Sequence, residues 1–300
     1  MMMKQTQNNL MMMASMASVL TASVLIILKG IGFVATGSVA ILSSLFDSMQ
    51  DLMTSLINMI AVRQAIQPAD ELHRFGHGKA QGIGSLLQGF IISISAIVLL
   101  VESVIHLMNI HPVEKTGFGL LIVTIGIILT IGLVCLQNYV VQKTNALSIK
   151  TDEAHYTGDI LMNIGVVLSL LASYYLRWYW VDALFGVGVA VYLLIVVWNI
   201  MQEACAMLMD KELPVATRED IKNLALSVPF VKNVSSLKTR MGGQLFIQFN
   251  AQFDGHLTLE KAHASLDKIE HAIQQHYPSA EVIIHAEPFD ISKQKKGFGK

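Results

Sequence analysis

Six stretches of this chain are apolar for longer than a soluble core helix requires: residues 12–35, 38–66, 80–108, 117–142, 150–176 and 180–208. About 20 apolar residues cross a ~30 Å hydrocarbon layer, so each stretch is long enough to span a bilayer. Lipid offers no partner for a bare N–H or C=O, which makes each span a helix. The charged fraction, 14% against about 25% in ordinary soluble domains, points the same way. Residues 1–11 are polar and read as a cytoplasmic N-terminal segment. The apolar run after them is too long for a signal-peptide core, so it is expected as a retained span. A net charge of −1 provides no basic field for a nucleic-acid partner.

The connections set the orientation. Gly37 marks a tight turn, His111-Pro112 another, and Arg177 to Trp180 an aromatic cluster of the kind found at membrane interfaces. Between the second and third spans lies a polar loop, Gln67 to Lys79. Lys4, Arg63, Arg74, Lys79, Lys143, Lys150 and Lys211 collect on one side, against Lys115 and Arg177 on the other. Basic residues favour the cytoplasmic side, so both termini and the polar loop are expected there. Cys135 and Cys205 fall in different apolar runs and are expected as buried free thiols.

Two spans break the apolar pattern. The second carries Ser44, Asp47, Ser48, Asp51, Ser55 and Asn58 at helical spacing; the fifth carries Asp152, His155, Asp159 and Asn163. A charge at membrane depth costs at least ~2.5–3.5 kcal/mol on insertion scales, so such groups need partners or a function. Isolated Ser or Asn would do no more than bond helices together. Two carboxylate-bearing i,i+4 pairs would repel unless a cation lay between them. Asp47, Asp51, His155 and Asp159 offer three carboxylates and one imidazole, a four-coordinate set suited to a divalent metal, zinc above all. Lys29, inside the first span, is expected to snorkel or to pair within the bundle. In the polar loop, Asp70, His73 and His77 have spacing compatible with one ion, and equally with a polar loop that binds nothing.

After Asp210 the chain changes character. A helix opened by Pro214, strands near 234–239 and 245–253 joined by Gly242-Gly243, a second helix near 258–276 and a strand near 281–285 follow in order. That αββαβ order in about 80 residues is ferredoxin-like. The fold class is therefore an all-α six-helix transmembrane bundle, 12–209, followed by a C-terminal cytoplasmic ferredoxin-like α+β domain, 210–290. The basic end, 291–300, is expected to be a disordered tail.

Six spans, a ferredoxin-like domain, Asp47-x3-Asp51 and His155-x3-Asp159 together resemble the cation diffusion facilitator family, in its bacterial YiiP-like zinc/proton antiporter branch. The likeness runs from about residue 12 to 289. It includes Phe75-Gly76-His77-Gly78-Lys79-Ala80, Met209-Asp210-Lys211-Glu212-Leu213 and Val282-Ile283-Ile284-His285. It implies that Asp47, Asp51, His155 and Asp159 form the transport site, and that Asp70, His73 and His77 form a second, loop site. Lys79 and Asp210 match residues of an intersubunit charge interlock. In the C-terminal domain His263 and His285 match metal ligands and Glu287 stands for a shorter Asp, while two further ligand positions fall on Ser235 and Asn250. Neutral Ser and Asn are poor zinc ligands beside imidazole, so the expectation there is one weakly held ion or none.

The resemblance implies a homodimeric secondary transporter in the bacterial inner membrane. It would export Zn²⁺ from the cytoplasm in exchange for H⁺, with Zn²⁺ as substrate and as loop-bound ion and no organic cofactor. Oxygen-rich sites with one nitrogen also bind Cd²⁺, Fe²⁺ or Co²⁺, so a broader exporter is the first alternative. A membrane-embedded metal sensor is the second. No His-Glu-x-x-His motif supplies a metallohydrolase and no Gly-x4-Gly-Lys-Ser/Thr loop an ATPase, so an enzyme is not expected.

Overall fold

A computed structural model describes residues 2–37, 39–108, 117–176, 180–278 and 280–289. The chain divides into two compact units, Met1–Cys205 and Ala206–Lys300. The first is helical: α1 (Met2–Thr36), α2 (Val39–Ala65), α3 (Ala80–Met108), α4 (Gly117–Thr144), α5 (Leu147–Leu176) and α6 (Val181–Leu208). Four of these contain windows long and apolar enough to cross a membrane, Gln5–Ala35, Ala80–Met108, Thr124–Thr144 and Ala183–Leu208. The other two long helices, α2 and α5, are those carrying the ionisable stripes.

Helix boundaries follow local chemistry. Gly37 adopts φ +62, the left-handed conformation that only glycine reaches without strain, and its N–H closes α1 on Phe33. Asn145, φ 50, ends α4 in the same way, and α5 begins two residues later. The polar N-terminal stretch is not a separate segment: α1 starts at Met2, and Gln7 donates to the Lys143 carbonyl at 3.1 Å. One turn on, Met11 and Ala14 pack with Val62, Val140, Ala146 and Ile149. Helix-compatible Gln and Asn residues with a packed face extend the span rather than fray. Cys135 and Cys205 are free thiols, but exposed on their helices rather than buried. In an apolar span the outward face is as apolar as the inward one, so an apolar neighbourhood does not imply burial.

Close packing holds α2 and α5 in the middle of this unit. α2 contacts α1, α3 and α5, and α5 contacts α4 and α3. A Cβ on Gly158 of α5 would lie 2.7 Å from the Leu193 side chain, so that glycine allows α6 to approach beside Asp159.

The second unit contains α7 (Val215–Leu226), β1 (Val231–Met241), β2 (Leu245–Phe253), α8 (Leu259–His276) and β3 (Ala280–Pro288). The sheet order is β1-β2-β3, with β1 and β2 antiparallel and β2 and β3 parallel. Its core joins Ile221 and Ala225 of α7 to Ile247, Phe249 and Ala251 of β2 and Ile269 and Ile273 of α8. On α8 the buried residues Ala262, Ser265, Ile269 and Ile273 recur at helical spacing, the single apolar stripe that a helix needs to dock on a sheet. The tail 291–300, the turn expected at His111-Pro112 and residues 177–179 of the turn expected at Arg177 to Trp180 lie outside the described residues.

Candidate metal centre

The polar stripes face inward. Ser48, Asp51, Thr54, Ser55 and Asn58 of α2 are buried, as are Thr151, Asp152, His155 and Tyr156 of α5. Amphipathic helices that hide their polar side among other helices are arranged for a membrane, where an outward charge is the costly one.

Where the two stripes meet, Asp51, His155 and Asp159 offer ligand atoms within 4.8 Å of one another. His155 Nε2 lies 3.1 Å from Asp51 Oδ1 and 4.0 Å from Asp159 Oδ2. Ligands held ~2.0–2.1 Å from a tetrahedral zinc are about 3.3–3.5 Å apart. The first separation therefore already fits an ion and the second closes with a shift of about half an ångström. Side-chain exposure rises from 9% at His155 and 12% at Asp51 to 36% at Asp159, so the trio opens toward Asp159. Asp47, one turn earlier on α2, is exposed and not in that trio.

Beneath the trio lies a buried network that motif spacing does not announce. Tyr156 and Ser55 share a hydrogen bond of 2.8 Å, tying α5 to α2 next to the ligands. Asp152, fully buried, accepts from Ser18 Oγ at 2.6 Å and Gln137 Nε2 at 2.7 Å, with Gln88 Nε2 at 3.4 Å. Those donors come from α1, α4 and α3, so one carboxylate joins four helices one turn below His155. Low dielectric strengthens such bonds and makes each partner expensive to lose. The signal in the sequence was a mid-helix glutamine in each of two largely apolar runs, Gln88 and Gln137.

The loop residues also converge. Asp70 Oδ1 accepts the N–H of His73 at 2.6 Å and of Leu72 at 3.0 Å, an Asx turn that organises the loop. Those N–H groups, His73 foremost, hold the Asp70 carboxyl below the usual carboxylate range. His77 Nε2 lies 3.1 Å from His73 Nδ1 and 3.4 Å from Asp70 Oδ2, and His73 Nδ1 lies 3.3 Å from Asp70 Oδ1. The Pro68 carbonyl, 3.2 Å from His77 Nδ1, can only accept, so it fixes the proton there and leaves the Nε2 lone pair toward the cluster.

The remaining predicted residues are dispersed. His263 is exposed on α8 with Asp267 3.9 Å away, and among the described residues His263, His285 and Glu287 form no ligand cluster. Sheet register aligns Ser235 with Asn250 and Asn250 with His285. The Glu287 carboxylate accepts from Asn250 Nδ2 at 2.8 Å. Asp210 pairs with Arg240 at 3.2 Å within the C-terminal unit, an arrangement that the expected Lys79–Asp210 interlock did not anticipate.

Comparison with known proteins agrees with this layout. The family model of the cation efflux transmembrane domain matches residues 15–209, and that of the cation efflux protein cytoplasmic domain matches residues 213–289. The cation-efflux pump FieF of Salmonella choleraesuis (strain SC-B67) is 38% identical over 290 residues, 96% of either chain. That of Klebsiella pneumoniae is 36% identical over the same span and coverage. Among solved structures, CzrB in its zinc form is 30% identical over 30% of this chain and 98% of that one, with a TM-score of 0.25. A copper form of the MamM CTD is 25% identical over 25% and 96%, with a TM-score of 0.24. The helical membrane region, the C-terminal domain and relatives matched along nearly their whole length make this chain a member of the cation diffusion facilitator family, a cation efflux transporter and not an enzyme.

Proposed function

We propose that the protein moves Zn²⁺ out of the cytoplasm in exchange for protons, by alternating access around Asp47, Asp51, His155 and Asp159. The observation that carries this reading is the buried His155 imidazole, with Nε2 facing Asp51 of α2 and Asp159 of its own helix. Zinc needs a neutral imidazole and ionised carboxylates, so loading the site displaces protons and returning protons release the ion. Because the ligands come from two helices, sliding α2 against α5 would open or close the site, and Asp47 would supply the fourth position. Six crossings, with α2 and α5 sheltering their charges inside the bundle, complete the membrane topology, both termini being cytoplasmic.

In the same reading Asp70, His73 and His77 hold a second zinc ion in the cytoplasmic loop. The protein works as a homodimer in the bacterial inner membrane, in keeping with a C-terminal domain of the family's dimer type. Lys79 and Asp210 then interlock subunits, and His263, His285 and Glu287 hold one weak ion or none. The single nitrogen among three carboxylates favours breadth as well, so Cd²⁺, Fe²⁺ or Co²⁺ export is the second reading. The test of coupling is zinc uptake into proteoliposomes with and without an imposed pH gradient. Uptake should follow the gradient, and zinc entering the lumen should move protons out and alkalinise it in step. Uptake that is unchanged without a gradient, and moves no protons, would eliminate the exchange.

A further inference from the structure

Lys29 does not behave as a snorkelling lysine. Such a residue carries its ammonium along the helix toward the membrane surface. Here Nζ leaves α1 and donates to Ser48 Oγ at 2.6 Å and to the Ser44 carbonyl at 3.0 Å, both on α2. Those acceptors bracket Asp47, and Asp51 follows Ser48 by one turn on the same face. Burial of Lys29 disfavours its charge, and the carboxylates of Asp51, Asp47 and Asp159 offset part of that cost by attracting the ammonium.

We propose that Lys29 is the resident counter-cation of the transport site: it moderates the affinity of the quartet and leaves the ion-loaded site electrically neutral. The proposal rests on the quartet reading given above. Three ionised carboxylates are balanced by one ammonium and one divalent cation when the imidazole is neutral. Without the ammonium the loaded site keeps a net negative charge within the bundle, the state that a low dielectric penalises. The dication would also be held by three carboxylates with nothing opposing them. The charge count selects the cargo class: a monovalent ion leaves the site negative, a trivalent ion leaves it positive, and a divalent ion balances it. Lys29 thus acts on the ion through the field of the site and not as a ligand.

The test is zinc binding by calorimetry at pH 8 on the full-length protein in detergent, paired with turnover in proteoliposomes. The variants are Lys29→Met, Lys29→Arg and Asp159→Ala; heat lost in Asp159→Ala isolates the intramembrane site from the loop. Lys29→Met should bind zinc about tenfold tighter and turn over about tenfold slower, while Lys29→Arg stays near the parent. A purely structural lysine would give the opposite pairing, weaker binding together with slower turnover. Zinc affinity in Lys29→Met that is unchanged or weaker, with binding still lost in Asp159→Ala, overturns the role of Lys29 alone. Zinc binding that survives Asp159→Ala unchanged removes the quartet, and the counter-cation with it. If Lys29→Met fails to elute as a folded species, Ser48→Ala decides. Loosening the ammonium by removing that 2.6 Å bond should tighten zinc by a smaller factor, and an unchanged affinity overturns the proposal.

Discussion

Two Asp/His clusters of equal size sit in the helical unit, and they are built in opposite ways. The loop cluster draws all its ligands from one eight-residue stretch, ordered by its own backbone, with separations of 3.1–3.4 Å already set. Its carboxylate is half exposed, at 51%. The intramembrane cluster draws from two helices, is buried at His155 and Asp51, and spans 3.1 and 4.0 Å. A site contained in one segment keeps its geometry whatever the helices do. A site divided between helices changes its geometry whenever they move. The first arrangement suits retention of an ion and the second suits its release, which is what a carrier must do.

That contrast can be broken most directly at the imidazoles. His155→Ala should lower zinc transport by more than the ~10–100-fold that loss of an outer-shell partner costs, measured as initial uptake in proteoliposomes. Next in size is the network below the trio. Gln137→Leu strips a 2.7 Å donor from buried Asp152 and should cost about 1–3 kcal/mol, read as a lower Tm in detergent; an unchanged Tm would mean the glutamine is dispensable. His77→Ala should remove one bound zinc ion per protomer while transport falls by less than about tenfold, because in the proposed reading the loop ion is not the cargo. Equal loss of transport from His77→Ala and His155→Ala would erase the distinction between the clusters.

The smallest effect concerns protons. The loop lowers the Asp70 carboxyl below its ordinary value near pH ~3.9, so its contribution is fully present above that pH and is lost as pH falls through the lowered value. A carboxyl titration of Asp70 by NMR should give a midpoint below the ordinary one, and Asp70→Asn should abolish that carboxyl's contribution. A midpoint above the ordinary value would contradict the Asx-turn geometry.

Much of this was legible in the residues. Long apolar runs become helices because lipid leaves no other way to pair the backbone, and two carboxylate-bearing i,i+4 pairs inside them marked a candidate site before any geometry was known. The C-terminal αββαβ order was readable from glycines, a proline and one amphipathic stripe. What escaped was long-range. Gln88, Gln137 and Ser18 are ordinary polar residues until three helices bring them to one carboxylate, 64, 15 and 134 positions away in the chain. Spacing placed Asp47 and Asp51 alike, yet one turn of α2 leaves Asp47 exposed and Asp51 against His155. For Lys29 the sequence left snorkelling and pairing within the bundle open, because its acceptors lie on another helix.

The most direct test of the intramembrane site is ⁶⁵Zn transport in proteoliposomes under an imposed pH gradient, comparing the intact protein with Asp51→Ala and Asp159→Ala. If Asp51, His155 and Asp159 carry the ion, uptake is gradient-driven in the parent and falls to the level of empty liposomes in both variants. Gradient-driven uptake retained by both variants would make the cluster structural and put the ion path elsewhere in the bundle.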